Sequence, residues 1–379
     1  MSLSNFRDKI DVIDNQLVEL FKQRMALAEE IAIEKQGLGS PVLNVQRERE
    51  ILTKVSEQAG ETLEGYARVL YNTLFDISRS HQMSIIHKDS QIAKDIHDAI
   101  NNTPSALPQK ATVACHGIEG AYSQLAAEKL FPVPSIMYFR DYKSVLSAVD
   151  KGLCQYGILP IENSTHGSVD TVYNLMKEHN CHIAKCIKLK LSHKLLARPG
   201  VALEQIKEII SHEQAISQCS EFLNSLDNVK LTLCENTAVA AKLVAESGRD
   251  DIAAIGSGDC ARLYGLTVIN DHIQINDHND TRFICVSKNL EIYPGANKIS
   301  LMLSLPHRPM ALYNMLARFA SLGINLTKLE SHPIPGSDFE YMFYFDMEAS
   351  VVNPGVVSLL SELSQQPETF VFLGNYVEN

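Results

Sequence analysis

Ile10, Ile13, Leu17, Leu20, Arg24, Leu27 and Ile31 recur at alternating spacings of three and four. That period draws one stripe along a helix that packs on other helices. It predicts a first helix from about Ser4 to Gln36, stopped by the glycines and proline of GLGSP. A second helix begins near Asn44, and a third runs from about Leu63 past Gln82. At ~1.5 Å per residue the first spans roughly 50 Å, too long for its stripe to be covered by two shorter helices. An intertwined partner, most simply a second copy, is expected.

After residue 97 the pattern changes. INNTPSALPQK is polar with two prolines and reads as a linker over 98–110. From 111 to 288 short apolar runs alternate with amphipathic segments: ATVACHG, SIMYF, YGILPIEN, KEIISH, KLTLC, IAAIGS and TRFICVS read as strands. This is α/β, with one largely parallel sheet or two small ones. Ligands in such folds sit at strand C-termini and helix N-termini. Residues 298–376 alternate as strand, helix, two strands, helix, strand, the βαββαβ order of a ferredoxin-like unit. The chain therefore reads as a multidomain α and α/β fold.

Composition narrows the classes. At 379 residues, 45% hydrophobic and 21% charged, the chain is globular, with room for two to four domains. A formal net charge of −11 leaves no domain-wide basic surface, so no nucleic-acid partner is expected. No signal peptide and no run of about 18 apolar residues is visible, so no membrane partner is expected either. The eight cysteines form no CxxC pair, and reduced thiols in a cytoplasmic protein are the expectation. No cofactor and no metal spacing is apparent.

Arg24 is the one charged member of the stripe. A buried guanidinium loses hydration worth several kcal/mol unless an anion meets it. Lys35 lies eleven positions on, within ~20° of the same face, and Arg7 and Arg47 add charge. Ser78 and Gln82 sit one turn apart on the third helix. FRDKIDVIDNQLVELFKQRMALAEEIAIEK followed by PVLNVQREREIL resembles the all-helical chorismate mutase domain, over residues 4 to 85. The resemblance implies three helices interlocked as a dimer. It implies that Arg24 and Arg47 hold two carboxylates, with Arg7 reaching in from the partner. Lys35 and Gln82 would face the ether oxygen and Glu48 the hydroxyl, with Ser78 a further site position. Asn44 stands where relatives commonly carry Asp, so altered tuning is expected there. The chemistry suits the set: a Claisen rearrangement needs a fixed conformer and positive charge at the breaking ether.

In the α/β segment, GIEGAYSQLA, ILPIENSTHGSV, SHEQAISQC and HNDTRFICVS place polar groups at strand ends. Capping or plain turns explain each alone. Together they resemble prephenate dehydratase, with the Thr-Arg-Phe triplet at 281–283 intact. The resemblance implies a bilobed α/β domain, similar to type II periplasmic-binding folds, closing on a cleft. Thr281 would be catalytic, with Glu162, Asn163 and Gln218 lining the site and Ser211, Gln214 and Arg282 binding substrate. Either Thr281 or Glu162 can serve as the acid at the departing hydroxyl.

TKLESHP and HRPMALYNML resemble the two phenylalanine-binding elements of an ACT domain, which implies regulatory roles for Met310, Ala311, Leu312, Glu330, Ser331 and His332. Met310 replaces a common Gly and His332 a usual Arg, so weakened or altered phenylalanine sensitivity is expected. Over nearly the whole chain the order resembles the bifunctional P-protein family of phenylalanine biosynthesis, taking chorismate to prephenate and prephenate to phenylpyruvate. A ligand sensor with a helical dimeriser, or a dehydratase whose first domain only dimerises, are the competing readings.

Overall fold

The computed structural model describes residues 3–86, 90–276, 279–307, 309–334, 340–365 and 369–378, excepting the side chain of Ser84. The chain divides into two compact units, one made of residues 1–98 and 302–371 and the other of 99–301 and 372–379.

The first unit begins with α1 (Leu3–Leu38), α2 (Val45–Ala59) and α3 (Glu64–Ile86), and α4 (Gln91–Asn102) follows. Only Ala28 and Ala32 of α1 are buried, while Ile10, Ile13, Leu17, Leu20, Leu27 and Ile31 are all exposed. The stripe therefore exists and this chain leaves it open. Asn44 caps α2 by accepting the Arg47 N–H at 3.0 Å, a short polar side chain doing what a helix start requires. One boundary differs: the INN of the segment read as linker is the last turn of α4, while Pro104 and Pro108 lie beyond it. No helix among the described residues is long and apolar enough to cross a membrane.

The second unit is α/β and holds two sheets. β1 (Lys110–His116), α5 (Tyr122–Leu130), β2 (Val133–Phe139), α6 (Tyr142–Asp150) and β3 (Tyr156–Asn163) come first. The short β4 (Gly167–Ser168), α7 (Asp170–Glu178) and β5 (His182–Lys190) follow. The chain then builds a second sheet from β6 (Lys194–Ala197), β7 (Glu208–Ser211), β8 (Lys230–Leu233), β9 (Ile252–Gly256) and β10 (Thr267–Asn270), with α8 (Glu213–Gln218), α9 (Ser220–Asn224), α10 (Thr237–Glu246) and α11 (Gly258–Tyr264) between them. It returns to the first sheet as β11 (Asp280–Ser287), which pairs antiparallel with both β3 and β5. The first sheet runs β5-β11-β3-β1-β2 and the second β10-β6-β9-β7-β8. Val113, Cys115, Phe131 and Ile158 are fully buried in the first core, and Leu195, Ile209 and Ile255 in one of the second. The segments crossing between sheets touch: Leu191 N–H donates to the Asn279 carbonyl at 2.7 Å and His193 N–H to Gln274 Oε1 at 3.0 Å.

The final segment has the expected order: β12 (Lys298–Ser304), α12 (Ala311–Ser321), β13 (Asn325–Pro333), β14 (Tyr341–Glu348), α13 (Pro354–Ser364) and β15 (Phe370–Glu378). β13 and β14 form an antiparallel pair. Within the first unit α13 packs on α3, where Ser80 donates to Glu362 at 2.6 Å and Ser90 to Ser361 at 2.7 Å. Within the second unit Val377 of β15 lies beside Lys185 of β5. The approach needs Gly374, whose φ is +151° and whose added Cβ would stand 2.4 Å from the Ile183 carbonyl oxygen. Gly374→Ala is expected to destabilise the second unit by about 3 kcal/mol or more, since backbone cannot yield as a side chain can. Urea unfolding measures it, and an unchanged midpoint would remove this account of the strand contact.

Candidate functional site

The helical segment gathers part of its charged set. Arg24 is half-buried, with NH1 donating to the Leu74 carbonyl at 3.3 Å and the guanidinium 5.9 Å over the Phe75 ring. No carboxylate among the described residues pairs with it. Lys35 Nζ donates to the Val42 carbonyl at 2.5 Å. Burial lowers its pKa, and nearby Glu48 opposes the shift. Ser78 and Gln82 are buried on α3, Gln82 Nε2 lies 3.5 Å from Ser78 Oγ, and Gln82 Oε1 has no partner among the described residues. Arg47 is exposed and pairs with Glu50 at 3.2 Å. Arg7 is exposed near the start of α1, about 42 Å along the helix from Lys35 at ~1.5 Å per residue. One chain cannot place both in one site.

Arg79 went unread in the sequence. Its guanidinium pairs with Glu48 across the α2–α3 contact and with Asp76 on its own helix. The signal was weak, because Arg79 lies between Ser78 and Ser80 with no motif of its own.

In the second unit a cavity of about 500 Å³ opens between the two sheets. Asn163, Gln214, Gln218 and Thr281 line it, as do His116, His166, His193 and His212. No Lys or Arg is among its lining residues. The N-terminal ends of three helices of nine or more residues, α5, α7 and α10, border it instead. Such ends offer free N–H groups and a positive dipole end to an anion. Asp170 and Glu235 also line the wall.

Thr281 anchors a polar chain. Asn163 Nδ2 donates to Thr281 Oγ1 at 2.9 Å and to Asn279 Oδ1 at 2.8 Å. Asn279 Nδ2 donates to Gln218 Oε1 at 2.8 Å, and His193 Nε2 lies 2.9 Å from the same oxygen. An amide oxygen cannot donate, so Nε2 carries the proton. His193 Nδ1 is then a buried acceptor without a partner among the described residues. Burial pushes the His193 pKa down to about 4 against the pull of Gln218, and burial lowers His116 and His212 as well. His193, His116 and His212 are thus biased toward the neutral form. Thr281 oxygen already accepts from Asn163, which leaves its own O–H to donate.

Three expected residues do not line the cavity. Register sets Thr281 opposite Asn163 and Arg282 opposite Glu162, and successive side chains point to opposite faces. With Thr281 and Asn163 at the cavity, Glu162 and Arg282 face away, paired at 2.6 Å. Arg282 also holds Glu378 at 2.7 Å. Ser211 is fully buried and donates to the Ile255 carbonyl at 2.9 Å, a bond within the second sheet. Glu162, Arg282 and Ser211 are therefore corrected from cavity residues to framework. His193 and Asn279 were missed because they sit on the crossing segments, where spacing carries no signal.

The regulatory candidates separate. Ala311 and Leu312 line a small cavity of about 160 Å³, which Glu330, Ser331 and His332 on β13 do not line. His332 packs edge-on against Tyr344, centroids 5.1 Å apart, and its Nε2 is 3.5 Å from Glu330. Met310 caps α12 at φ +70°, a left-handed conformation that favours Gly.

Comparison with known proteins places these features. The chorismate mutase type II family profile matches residues 6–83, and the prephenate dehydratase profile residues 113–291. Arogenate dehydratase/prephenate dehydratase 2 of Arabidopsis thaliana is 37% identical over 279 residues, covering 70% of this chain and 73% of its own. A bifunctional chorismate mutase/prephenate dehydratase of Enterobacter agglomerans is 29% identical over 98% of this chain and 94% of its own. Among solved structures, prephenate dehydratase of Arthrobacter aurescens in complex with L-Phe aligns with a TM-score of 0.64 at 29% identity, over 70% of this chain and 89% of that one.

Two outcomes follow from the geometry. Met310→Gly relieves a strained φ and is expected to raise stability by about 0.5–1 kcal/mol in urea unfolding; a neutral or destabilising result contradicts the strain. His193 binds its proton near pH 4 folded but near 6.5 unfolded. The unfolded state thus takes up a proton that the folded state refuses, and stability falls as pH drops from 6.5 toward 4. In His193→Gln the loss between pH 7 and 4.5 should shrink by about 2–3 kcal/mol. Parallel curves for both proteins would show that His193 does not titrate this way.

Proposed function

We infer that this chain, which belongs to the prephenate dehydratase family and carries a type II chorismate mutase segment ahead of that domain, makes prephenate from chorismate in the first and phenylpyruvate from prephenate in the second. The domains are taken as 1–97 for the mutase, 98–110 as linker, 111–288 for the dehydratase and 298–376 as an ACT regulatory domain. The observation that carries the reading is the cavity holding Thr281, Asn163 and Gln218 beneath three helix N-termini.

In the first reaction Arg24 and Arg47 hold the two carboxylates of chorismate. Lys35 and Gln82 face the ether oxygen as its bond breaks and charge builds on it, and the buried amide of Gln82 is already fixed beside Ser78. Glu48 is steadied by Arg79 and meets the substrate hydroxyl. Asn44 acts through the start of α2, whose first turn carries Arg47 and Glu48. Arg7 belongs to the site of a second copy, since α1 carries it far from Lys35. A homodimer that covers the open α1 stripe follows.

In the second reaction the ring carboxylate of prephenate leaves as carbon dioxide. The released electron pair completes the aromatic ring and expels the ring hydroxyl as hydroxide. Thr281 donates a hydrogen bond to that departing oxygen, with Asn163 fixing its orientation. The acid role goes to Thr281 because the Glu162 carboxylate is spent on Arg282 at the far face. Helix N-termini and the Gln214 and Gln218 amides hold the remaining side-chain carboxylate in place of a cation. L-phenylalanine is the proposed effector of the C-terminal segment, on the strength of its βαββαβ order and the phenylalanine complex of the Arthrobacter relative. Eight unpaired cysteines, seven of them buried, fit a reducing cytoplasm.

The test follows chorismate consumption and phenylpyruvate formation separately. Arg24→Ala should lose at least ~100-fold in chorismate consumption and leave dehydration of supplied prephenate intact. Thr281→Val should lose a similar factor only in the second step, so that prephenate accumulates. Near-normal turnover in Thr281→Val refutes the role given to that hydroxyl. A wild-type chain that dehydrates prephenate but ignores chorismate has a first domain that only dimerises, and one with neither activity is a ligand sensor.

A further inference from the structure

His166 lines the dehydratase cavity without a role in either reaction above. It stands exposed in the turn between β3 and β4, unlike the buried His193. The turn itself does not need an imidazole. Asn163 Oδ1 accepts the backbone N–H groups of Thr165 at 3.0 Å and of His166 at 3.1 Å, and any residue but proline would supply the second. The ring's protonation follows from its neighbours. His193 Nε2 and Asn279 Nδ2 both donate to Gln218 Oε1, which fixes that amide with its nitrogen toward the turn. Gln218 Nε2 lies 3.1 Å from His166 Nδ1. An amide nitrogen only donates, so Nδ1 accepts and the ring proton sits on Nε2. Nδ1 is also 3.3 Å from Asn163 Oδ1, but the two backbone N–H groups already fill that oxygen's lone pairs. His166 Nε2 makes no hydrogen bond among the described residues. An oriented, unspent donor in a cavity lined by no Lys or Arg suits an anion.

We propose that His166 is a substrate-binding residue of the dehydratase reaction, donating from Nε2 to the keto-acid carboxylate of prephenate; the assignment rests on the function inferred above. Three points choose that group. The departing hydroxyl is served by Thr281. The ring carboxylate leaves as carbon dioxide, and a donor that stabilised its charge before departure would raise the barrier. The hydroxyl and the keto-acid side chain stand on opposite carbons of the ring, so the donor for the carboxylate must stand off from Thr281. His166 does so, with Asn163 between them in the hydrogen-bonded chain. Gln218 then acts on the carboxylate through the ring it orients, since its amide nitrogen is given to Nδ1.

Two replacements separate substrate contact from support of Gln218. A glutamine amide reaches the place of Nε2, and an asparagine amide only that of Nδ1. The test uses the full chain and measures KM and kcat for prephenate. It also measures by calorimetry the Kd of phenylpyruvate, which keeps the keto-acid carboxylate, and of phenylacetone, which lacks it. In His166→Asn and His166→Ala, KM and the phenylpyruvate Kd should each rise roughly tenfold or more, the worth of a hydrogen bond to a charged group. His166→Gln should stay within about threefold of wild type. The kcat should hold in all three, and phenylacetone should bind wild type and variants alike. Retention in His166→Asn with loss in His166→Gln overturns the proposal, because the ring then only supports Gln218. Variants equal to wild type overturn it too, as does a fall in kcat at constant KM. A wild type that leaves prephenate unchanged, while phenylpyruvate binding keeps the expected pattern, sinks the dehydratase function and leaves the carboxylate contact standing. If it also binds no phenylpyruvate, both fall.

Discussion

The antiparallel pairing of β11 with β3 on one side and β5 on the other puts Thr281 opposite Asn163 and Arg282 opposite Glu162. Everything at the dehydratase cavity depends on that register, because a slip of one residue would send Arg282 into the cavity and Thr281 out of it. The two faces then do different work. On one, Asn163 ties Thr281 to Asn279, Gln218 and His193 in a chain of neutral hydrogen bonds. On the other, Glu162, Arg282, Glu378 and Lys298 alternate in sign as a ladder of contacts between 2.6 and 2.7 Å. Burial alone would raise the Glu378 pKa, but the Lys298 hydrogen bond and the Arg282 charge overcome it and hold the carboxyl below its ordinary value. A desolvated charge persists only when so compensated. The last strand of the chain thereby fixes the end of β11 that carries Thr281.

Two proposed anion sites in one acidic chain solve one problem by different means. Along helices α1–α3 the backbone donors are largely spent within the helices. Charge must come from side chains, and the helical segment carries Arg24, Lys35, Arg47 and Arg79. In the α/β unit, strand-to-helix turns bring N-terminal N–H groups to the cavity edge, and the sequence can dispense with cations. Neutral polar groups in a confined space also interact more strongly than they would in water. The buried histidines fit that arrangement: burial favours their neutral form, so they offer acceptors and donors without competing for the carboxylates.

How far the sequence carries depends on the range of the interaction. Helices α1 to α3 were legible because a period of 3.6 is local, and so were β1, β3, β9 and β11, whose apolar runs are bounded by turn residues. Strand β5 escaped because HIAKCIKLK interleaves lysines that reach the surface with buried aliphatics, a pattern that also suits a surface helix. Motif strings found Thr281, Asn163, Gln214 and Gln218. They could not say which face of a strand a residue takes, so Glu162 and Arg282 were read into a cavity that register denies them. His193, Asn279 and Arg79 are placed by contacts between distant segments, and no spacing announces such contacts. Met310 shows the converse case, since a departure from the usual Gly was visible but its cost, a left-handed φ, needed the backbone.

The length of α1 sets a limit that no local adjustment can relax. Arg7 and Lys35 share a rigid rod, so if both serve one mutase site, two copies of the rod must run past each other. The same conclusion arises from energetics. Six aliphatic side chains of the stripe are exposed, and fully covering one such side chain is worth about 1.5–3 kcal/mol. A partner helix recovers that energy, and in doing so desolvates Arg24, which sits in the middle of the stripe. Dimerisation of the proposed kind would make the arginine's need for an anion acute. In the proposed homodimer, assembly and substrate binding would be coupled through one residue: the apolar neighbours of Arg24 favour the dimer, and its charge favours a dimer that holds a carboxylate.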